Sequence, residues 1–302
     1  MLALVIPYFK LTFFEETIYS LSIQTDKRFR VYIGDDASPE NPIFLLEKYK
    51  GRFDFIYHRF EKNLGSISLV QQWNRCIALT SGEEWLMVLG DDDSLSPTCV
   101  EDFYSHLPEI ISNRCKVIRY ATVLNDVLSQ KKSPIYTHPK LEKATDFFHR
   151  RYKNQTRSSL SEYVFKREVY LKYDFHNYDL AWYADDRAWL EFSSFGMIYT
   201  INTSHLIIGL SDENISRATY KMETKEQVKI SFFRNFILIN LFKFRRDQRE
   251  NLLLHYEQMI YLSNKVNFRF WFSLFSLFLI NFYFVESVKF TRRLLIHLNK
   301  DA

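Results

Sequence analysis

Short apolar runs alternate with segments of helical periodicity between Met1 and Tyr120, and this alternation restricts the chain to few folds. The apolar runs cover residues 2–6, 29–33, 53–57, 84–89 and 116–120. Between successive runs, apolar residues recur at the spacing of one helix face. A strand–helix series of this kind predicts an α/β fold class, with a mostly parallel sheet covered by helices on both faces.

Polar clusters follow three of the predicted strands, each at the strand's carboxyl end. Pro7 and Tyr8 close the first strand, Asp35 and Asp36 close the second, and Asp91–Asp93 close the fourth. Because ligands bind parallel α/β sheets beyond the carboxyl ends of the strands, the three clusters are expected to form one site. Their convergence is more informative than any single cluster.

The acidic triplet Asp91–Asp93 directly follows a predicted buried strand, 85–89. Adjacent carboxylates repel one another unless something neutralises them. Mg²⁺ and Mn²⁺ prefer oxygen ligands, and Mg²⁺ is often held by one or two carboxylates together with substrate phosphates. The triplet therefore predicts a divalent cation, Mn²⁺ or Mg²⁺, as cofactor. The alternative is a solvated acidic turn that caps the next helix.

Three further clusters have both a functional and a structural interpretation. Asp36 could accept hydrogen bonds from a nucleobase or ribose, or the segment could be a strand-ending turn that caps a helix. Asn63 and Gly65 follow the third strand, where their backbone could approach a nucleotide or simply turn. Asp185 and Asp186 begin a predicted helix, where a carboxylate could act as a general base or merely favour the helix dipole.

Cysteine usage and the amino terminus bear on the compartment. Cys76, Cys99 and Cys115 show neither a paired pattern nor a metal-binding spacing, which indicates a reducing environment. The apolar start of the chain lacks a basic region and is too short for a signal peptide, so we interpret it as a strand. The catalytic body is therefore expected in the cytoplasm.

The C-terminal part is basic and aromatic. Residues 225–302 carry 13 Lys or Arg against 6 Asp or Glu, whereas the whole chain has a net charge of only +4. Residues 270–285 contain no charged side chain but are fewer than the ~20 apolar residues of a membrane span. We therefore expect a helix that lies at a membrane interface. The alternative is that this segment packs on the body as an ordinary helix.

Taken in order along the chain, these motifs resemble those of family-2 glycosyltransferases over about residues 1–215. The motifs are Val5-Ile6-Pro7-Tyr8, Asp35-Asp36-Ala37-Ser38, Asn63-Leu64-Gly65, Asn74, Gly82-Glu83, Asp91-Asp92-Asp93 with Pro97, and Asp185-Asp186. The resemblance implies the GT-A fold, a nucleotide-sugar donor, a divalent metal and inversion at the anomeric carbon.

The resemblance also implies roles for individual residues. Asp36 resembles the nucleobase-contacting aspartate, Asp91 the ribose-contacting one, Asp92 the metal-binding aspartate of the Asp-X-Asp signature, and Asp186 the catalytic base. The remaining expected site residues are Pro7, Tyr8, Asn63 and Gly65 for the nucleotide sugar and Asp93 for the metal.

The sequence departs from the family pattern at three points. Gly90 stands where the first Asp of the Asp-X-Asp signature is usual, and Asp185 stands where the base motif often has Glu. The Gln-X-X-Arg-Trp motif of processive synthases is absent from the sequence. We therefore expect the addition of a single sugar.

The function expected from these features is transfer of one sugar, from a UDP-sugar, to a hydroxyl of a lipid-linked oligosaccharide in surface polysaccharide biosynthesis. The GT-A domain is placed at 1–215 and a helical extension at 216–302. The extension would hold the enzyme peripherally on the inner face of a bacterial cell membrane, and no nucleic-acid partner is expected.

Two other functions are compatible with this fold class. A metal-dependent nucleotidyltransferase also uses paired carboxylates, although this sequence has no Gly-rich phosphate loop after the first strand. A non-catalytic glycan-binding protein could keep the fold without the activity.

Overall fold

The computed structural model describes residues 1–126, 129–211, 221–263 and 268–298, and the side chains up to residue 296. The chain divides into two compact units, Met1–Met222 and Glu223–Ala302. The predicted domain boundary at residue 215 lies between 212 and 220, outside the described residues.

In the described part of the first unit, ten strands form one sheet with the order β3-β2-β1-β4-β9-β6-β10-β5. The strands are β1 (Leu2–Tyr8), β2 (Phe29–Asp35), β3 (Asp54–Arg59), β4 (Trp85–Val88), β5 (Ser94–Leu95), β6 (Val117–Asp126), β7 (Lys131–Lys132), β8 (Leu141–Lys143), β9 (Tyr163–Lys166) and β10 (Met197–Leu210). The short strands β7 and β8 pair with β6 and β10.

The sheet is mostly parallel, as the sequence predicts. The first four strands β1–β4 pair in parallel, and β10 pairs in parallel with β6. Strand β9 lies between β4 and β6 and runs antiparallel to both. Its first residues therefore lie at the same edge of the sheet as the carboxyl end of β4, with Val164 opposite Met87.

Helices surround this sheet. They are α1 (Phe14–Ser22), α2 (Ile43–Lys48), α3 (Leu69–Ile77), α4 (Cys99–Ser112), α5 (Ala144–Tyr152), α6 (Arg167–Tyr173) and α7 (Ala184–Phe192), with a single 3₁₀ turn at Asp179–Ala181. Alternation along β1 directs Ile6 and Tyr8 to one face, where Tyr8 packs on Phe14 of α1 at 4.5 Å between ring centroids. Ala3 and Val5 are equally buried on the other face.

The second unit is helical. Its helices are α8 (Met222–Phe232), which starts at the boundary, α9 (Arg246–Leu262), α10 (Phe268–Ile280) and α11 (Phe284–Leu298), with a π-helical turn at Phe233–Ile237 and a 3₁₀ turn at Leu241–Lys243. The single helix expected over 270–285 is wrong, because the chain turns between Ile280 and Phe284. None of the helices in the described residues is long and apolar enough to cross a bilayer.

Candidate active site

A cavity of about 780 Å³ opens at the carboxyl edge of β1, β2 and β4. Seven of the predicted site residues line it, namely Pro7, Asp36, Asn63, Gly65 and Asp91–Asp93. The sheet thus brings together residues that are far apart in the sequence. Two predicted site residues, Tyr8 and Asp186, do not line this cavity.

Tyr8 is a correction to the expected nucleotide-sugar contacts. Its side chain is fully buried, its hydroxyl donates to the Glu40 carbonyl at 2.8 Å, and burial raises its pKa to about 12. Strand alternation explains the difference, because successive residues of β1 point to opposite faces. Pro7 lines the cavity, whereas Tyr8 packs under α1.

The Asp36 side chain binds the backbone of the loop that contains Asn63 and Gly65. Its carboxylate accepts hydrogen bonds from the backbone N–H groups of Leu64 at 2.6 Å and Gly65 at 2.8 Å, and from the guanidinium of Arg75. A Cβ at position 65 would lie 2.5 Å from Asp36 Oδ2, so this close approach requires glycine. Asp36 therefore fixes the shape of this cavity wall.

Asp91 ties the end of β4 to the loop after β1. Its Oδ2 accepts the backbone N–H groups of Phe9 at 2.8 Å and Lys10 at 2.9 Å. Burial raises the pKa of the Asp91 carboxyl to about 6, although these two donors act to lower it. The side chain thus holds the Phe9–Lys10 segment at the cavity rim.

Asp93 is held by the protein on both of its oxygens. Ser161 Oγ donates to Oδ2 at 2.5 Å, and the Gly209 N–H donates to Oδ1 at 2.9 Å. The same Ser161 hydroxyl accepts the Gly90 N–H at 3.0 Å. Burial, and then the negative charge of Asp92, raise the pKa of the Asp93 carboxyl above its ordinary range. Through these hydrogen bonds Asp93 joins β4, β9 and β10, and it also lines the cavity as the sequence predicts.

The carboxylate oxygens of Asp91–Asp93 fit a divalent cation only in part. No group of three or more His, Cys, Asp or Glu side chains among the described residues is arranged to hold a metal. Asp92 lines the cavity, and Gly209 lets β10 pass close to it, since a Cβ there would lie 2.5 Å from the Asp92 carbonyl oxygen. A single carboxylate is a sufficient protein ligand for Mg²⁺ when substrate phosphates complete the shell. Asp92 therefore fits as that carboxylate.

Arg157 and Ser161 line the cavity and were not predicted from the sequence. Arg157 Nη1 donates to Thr122 Oγ1 at 2.8 Å and to the fully buried Glu162 at 2.5 Å. Both residues precede β9, so they lie at the amino end of an antiparallel strand. The mostly polar segment from Arg157 to Glu162, directly before an apolar strand, could have indicated these residues. It points to the site only if that strand runs antiparallel to its neighbours, which the sequence does not show.

Asp186 lies in the first turn of α7 and is buried. Its Oδ2 is 4.0 Å from Arg151 Nη2 of α5, and its Oδ1 has no hydrogen-bond partner in the described part of the chain. Burial raises the pKa of the Asp186 carboxyl, whereas the Arg151 charge lowers it. Burial and the Asp186 charge raise the pKa of Asp185.

The backbone before α7 is strained. Leu180, Ala181 and Tyr183 all have positive φ values, of 60°, 53° and 67°, in the left-handed region that non-glycine residues rarely adopt. Residues held in this way concentrate at functional sites, where the surrounding structure compensates for the strain. The conformation fixes where Asp185 and Asp186 enter the helix.

Aromatic contacts connect the Asp186 helix to the cavity wall. Trp189 of α7 stacks on Tyr163 at 4.0 Å between ring centroids, and the Tyr163 hydroxyl lies 3.1 Å from Ser158 Oγ, which lines the cavity. On another wall, Trp73 of α3 packs against Phe175 at 5.5 Å. The contacts from α7 to the cavity wall thus run through Trp189, Tyr163 and Ser158.

Comparisons with known proteins agree with this geometry. The family profile described as "Glycosyl transferase family 2" matches residues 3–172, which is more than half of the chain. No curated protein sequence matches significantly.

Solved structures of glycosyltransferases are similar in fold. The structure of S. aureus TarS 1–349 in complex with UDP-GlcNAc is 14% identical, with a TM-score of 0.60 over 89% of this chain and 76% of that one. Against the longer S. aureus TarS structure, identity is 15% and the TM-score is 0.56, over 91% of this chain and half of that one.

A second enzyme shares the fold more distantly. GalNAc-T7 with UDP, GalNAc and Mn²⁺ is 11% identical, with a TM-score of 0.51 over 76% of this chain and 47% of that one. Identities this low show the fold alone. With the family match, they establish that the chain belongs to glycosyltransferase family 2 and is a glycosyltransferase with the GT-A fold.

Proposed function

We propose that this chain is an inverting enzyme that transfers one sugar from a UDP-sugar to an acceptor hydroxyl. The observation that carries the proposal is the placement of Asp91–Asp93 in a cavity at the carboxyl edge of a GT-A sheet. The buried Asp186 lies on α7, whose Trp189 stacks on Tyr163 beside the cavity wall. The fold relatives whose structures contain UDP-GlcNAc, or UDP with GalNAc, support a UDP-sugar as donor. Family membership leaves no support for the nucleotidyltransferase and glycan-binding alternatives.

The donor would occupy the cavity with its nucleoside against the loop that Asp36 holds and its diphosphate near Asp92. The Phe9–Lys10 segment, positioned by Asp91, would border the diphosphate. A bound Mn²⁺ or Mg²⁺, held by Asp92 and the phosphates, would supply positive charge that stabilises the leaving diphosphate. The GalNAc-T7 structure with Mn²⁺ supports this cofactor.

Asp186 would act as the general base. Its Oδ1 has no hydrogen-bond partner among the described residues, so it remains able to accept the proton of the acceptor hydroxyl. As that oxygen bonds to the anomeric carbon, the bond from this carbon to the diphosphate breaks on the opposite face, and UDP leaves with its electron pair. Burial raises the pKa of Asp186, and the positive charge of Arg151 opposes this effect and so favours the ionised carboxylate.

The acceptor would be a lipid-linked oligosaccharide in surface polysaccharide assembly. The support is the second unit, where apolar side chains such as Phe272 and Val288 are exposed beside basic residues. A peripheral position on the cytoplasmic face of a bacterial membrane would bring the enzyme to such an acceptor. Basic and aromatic surfaces of this kind bind anionic membranes.

Transfer assays test the proposal. We expect release of UDP from at least one UDP-sugar, stimulation by Mn²⁺ and an inverted anomeric configuration in the product. A thermal-shift screen should show stabilisation by UDP, because a ligand that binds the native state raises its stability. Failure of UDP and all UDP-sugars to bind, with stabilisation by another nucleotide, would replace the donor assignment.

A further inference from the structure

The corner between α10 and α11 has an unusual alternation of buried and exposed residues. Asn281 and Tyr283 are buried, whereas Phe282 between them is 69% exposed. Phe282 also has a φ of 61°, in the left-handed region that is strained for an aromatic residue. The corner therefore displays a phenyl ring to solvent at a conformational cost.

The two buried neighbours anchor this corner to α9. Asn281 Oδ1 accepts a hydrogen bond from Arg249 Nη1 at 2.9 Å, and the Tyr283 hydroxyl donates to the Arg246 carbonyl. Helices α10 and α11 are also joined by an aromatic contact, with Phe278 and Phe290 at 5.7 Å between ring centroids. The exposed Phe282 is thus carried on a fixed corner rather than on a loose loop.

Other large apolar side chains next to the corner are exposed as well. They are Ile280, Phe284, Val285 and Val288, each more than half exposed. With Phe282 they make five exposed large apolar side chains within residues 280–288. Single exposed apolar residues are ordinary on protein surfaces, but a concentration of them indicates an interaction surface. A surface of this kind requires an apolar partner.

The charges along α11 indicate which partner this is. Lys289 and Arg292 are exposed and lie five and eight residues beyond Phe284, or about 8 and 12 Å along a helix axis. The acidic residue on α11 next to the corner, Glu286, pairs with Lys289 at 2.7 Å and with Arg293 at 3.6 Å. Glu250 of α9 also lies near the corner, where its charge acts on Tyr283. Apolar groups of interfacial helices enter a bilayer by about 5–10 Å, to the boundary between headgroups and acyl chains. If the apolar corner entered to this depth, the basic residues behind it would lie at the level of the headgroups.

We propose that the α10–α11 corner is a wedge that inserts Phe282 and Phe284 into the acyl boundary of an anionic bilayer, with Lys289 and Arg292 at the level of the headgroups. The proposal rests on the proposed peripheral membrane location and names the element responsible. It also defines the mode of binding, since the corner enters first and α10 does not lie flat on the membrane.

Site-directed labelling tests the insertion. Cys76, Cys99 and Cys115 are all buried, so a cysteine introduced by Phe282→Cys reacts selectively with an environment-sensitive fluorophore. We expect a blue shift of its emission on vesicles of phosphatidylglycerol and phosphatidylcholine, and quenching by spin-labelled lipid. The same label at Ser112→Cys, an exposed position in the first unit, should not change. A label at position 282 that stays in a polar environment on bound vesicles overturns the proposal.

Affinity measurements provide the second test. Phe282→Asp and Phe284→Asp should each weaken flotation with anionic vesicles by about tenfold, the factor expected when one phenyl ring stays in water. Phe44→Asp is the matched control, because Phe44 is an exposed aromatic residue of the first unit. The double variant Lys289→Glu, Arg292→Glu should reduce binding to anionic vesicles and leave binding to neutral ones little changed.

These outcomes separate the wedge from the proposed function. Hydrolysis of the UDP-sugar donor should be the same in the Phe282→Asp variant as in the unaltered protein, so loss of vesicle binding with retained hydrolysis supports the wedge. An enzyme that inserts but uses no UDP-sugar would contradict the proposed function and leave the wedge standing. A doubled mass in light scattering that Phe282→Asp abolishes would instead identify a second copy as the partner and overturn the proposal.

Discussion

The partly exposed Arg151 of α5 and the buried Asp186 of α7 form an ion pair, with 4.0 Å between Nη2 and Oδ2. Each partner affects the titration of the other. The Asp186 carboxylate is the largest cause of the raised pKa of Arg151, and Arg151 opposes the effect of burial on the pKa of Asp186. Burial and the Arg151 charge together therefore determine the pH range over which Asp186, the proposed base, is ionised.

Replacing Arg151 should shift the acidic limb of the pH–rate profile. Burial alone raises the pKa of Asp186, so Arg151→Gln leaves that pKa higher and less of the base ionised at a given pH. We expect the acidic limb of kcat/KM to move upward by about one pH unit, the lower end of the effect of a nearby opposite charge. Arg151→Lys keeps the charge and should restore most of the profile. An unchanged acidic limb in Arg151→Gln would contradict the assignment of Asp186 as the general base.

Removing the basic oxygen of Asp186 should reduce turnover. Asp186→Asn keeps the shape of the side chain but accepts no proton, so we expect kcat to fall by about 10²-fold or more, with UDP affinity retained. Stopped assays of sugar transfer and calorimetric titration with UDP measure the two quantities. Asp185→Asn is the matched control and should retain more activity. The reverse order would make Asp185 the base.

Asp92→Ala should separate metal-dependent binding from folding. Because Asp92 is the carboxylate that fits a cation at the cavity, its loss should abolish the enhancement of UDP binding by Mn²⁺. The melting temperature without ligand should stay close to that of the unaltered protein. Calorimetric titration with UDP, with and without Mn²⁺, is the measurement. An unchanged response to Mn²⁺ would remove Asp92 from the metal site.

Asp93→Ala should instead destabilise the fold. The substitution removes the acceptors of both the Ser161 hydroxyl and the part-buried Gly209 N–H. The expected loss is about 1–3 kcal/mol in the free energy of unfolding, measured by urea denaturation. Ser161→Ala should lose less, since Gly209 keeps its acceptor. Normal stability of Asp93→Ala together with loss of the Mn²⁺ response would instead identify Asp93 as a metal ligand.

The parallel part of the fold and most of its cavity are predictable from the sequence. The alternation of apolar runs and helix faces gives β1, β2, β3, β4 and β6, and the rule that ligands bind at the carboxyl ends of parallel strands brings Asp36 and Asp91–Asp93 together. Local sequence carries enough information here, because β1 and β4 are buried strands without a charged residue, and β2, β3 and β6 have only isolated charged residues within apolar segments.

The remaining elements depend on tertiary contacts that no local pattern encodes. The antiparallel direction of β9 is set by its neighbours β4 and β6. The rule that ligands bind at the carboxyl ends of strands therefore finds Asp91 but overlooks Arg157 and Ser161, which precede the amino end of β9. The burial of Tyr8 depends on which face α1 covers. The turn at Phe282 has neither Gly nor Pro to mark it, and contacts with α9 stabilise it.

The hydrogen bonds of Asp93 also have a consequence for biosynthesis. Its two partners lie 68 and 116 residues further along the chain, so the ribosome completes them well after Asp93 itself. At ~5–20 residues per second, the delay before Gly209 is made is roughly 6 to 23 seconds. During this interval the nascent chain contains the acidic triplet without the strand that fastens it. The donor site is therefore expected to mature only when β10 joins the sheet, and a chain that stalls earlier would not bind nucleotide.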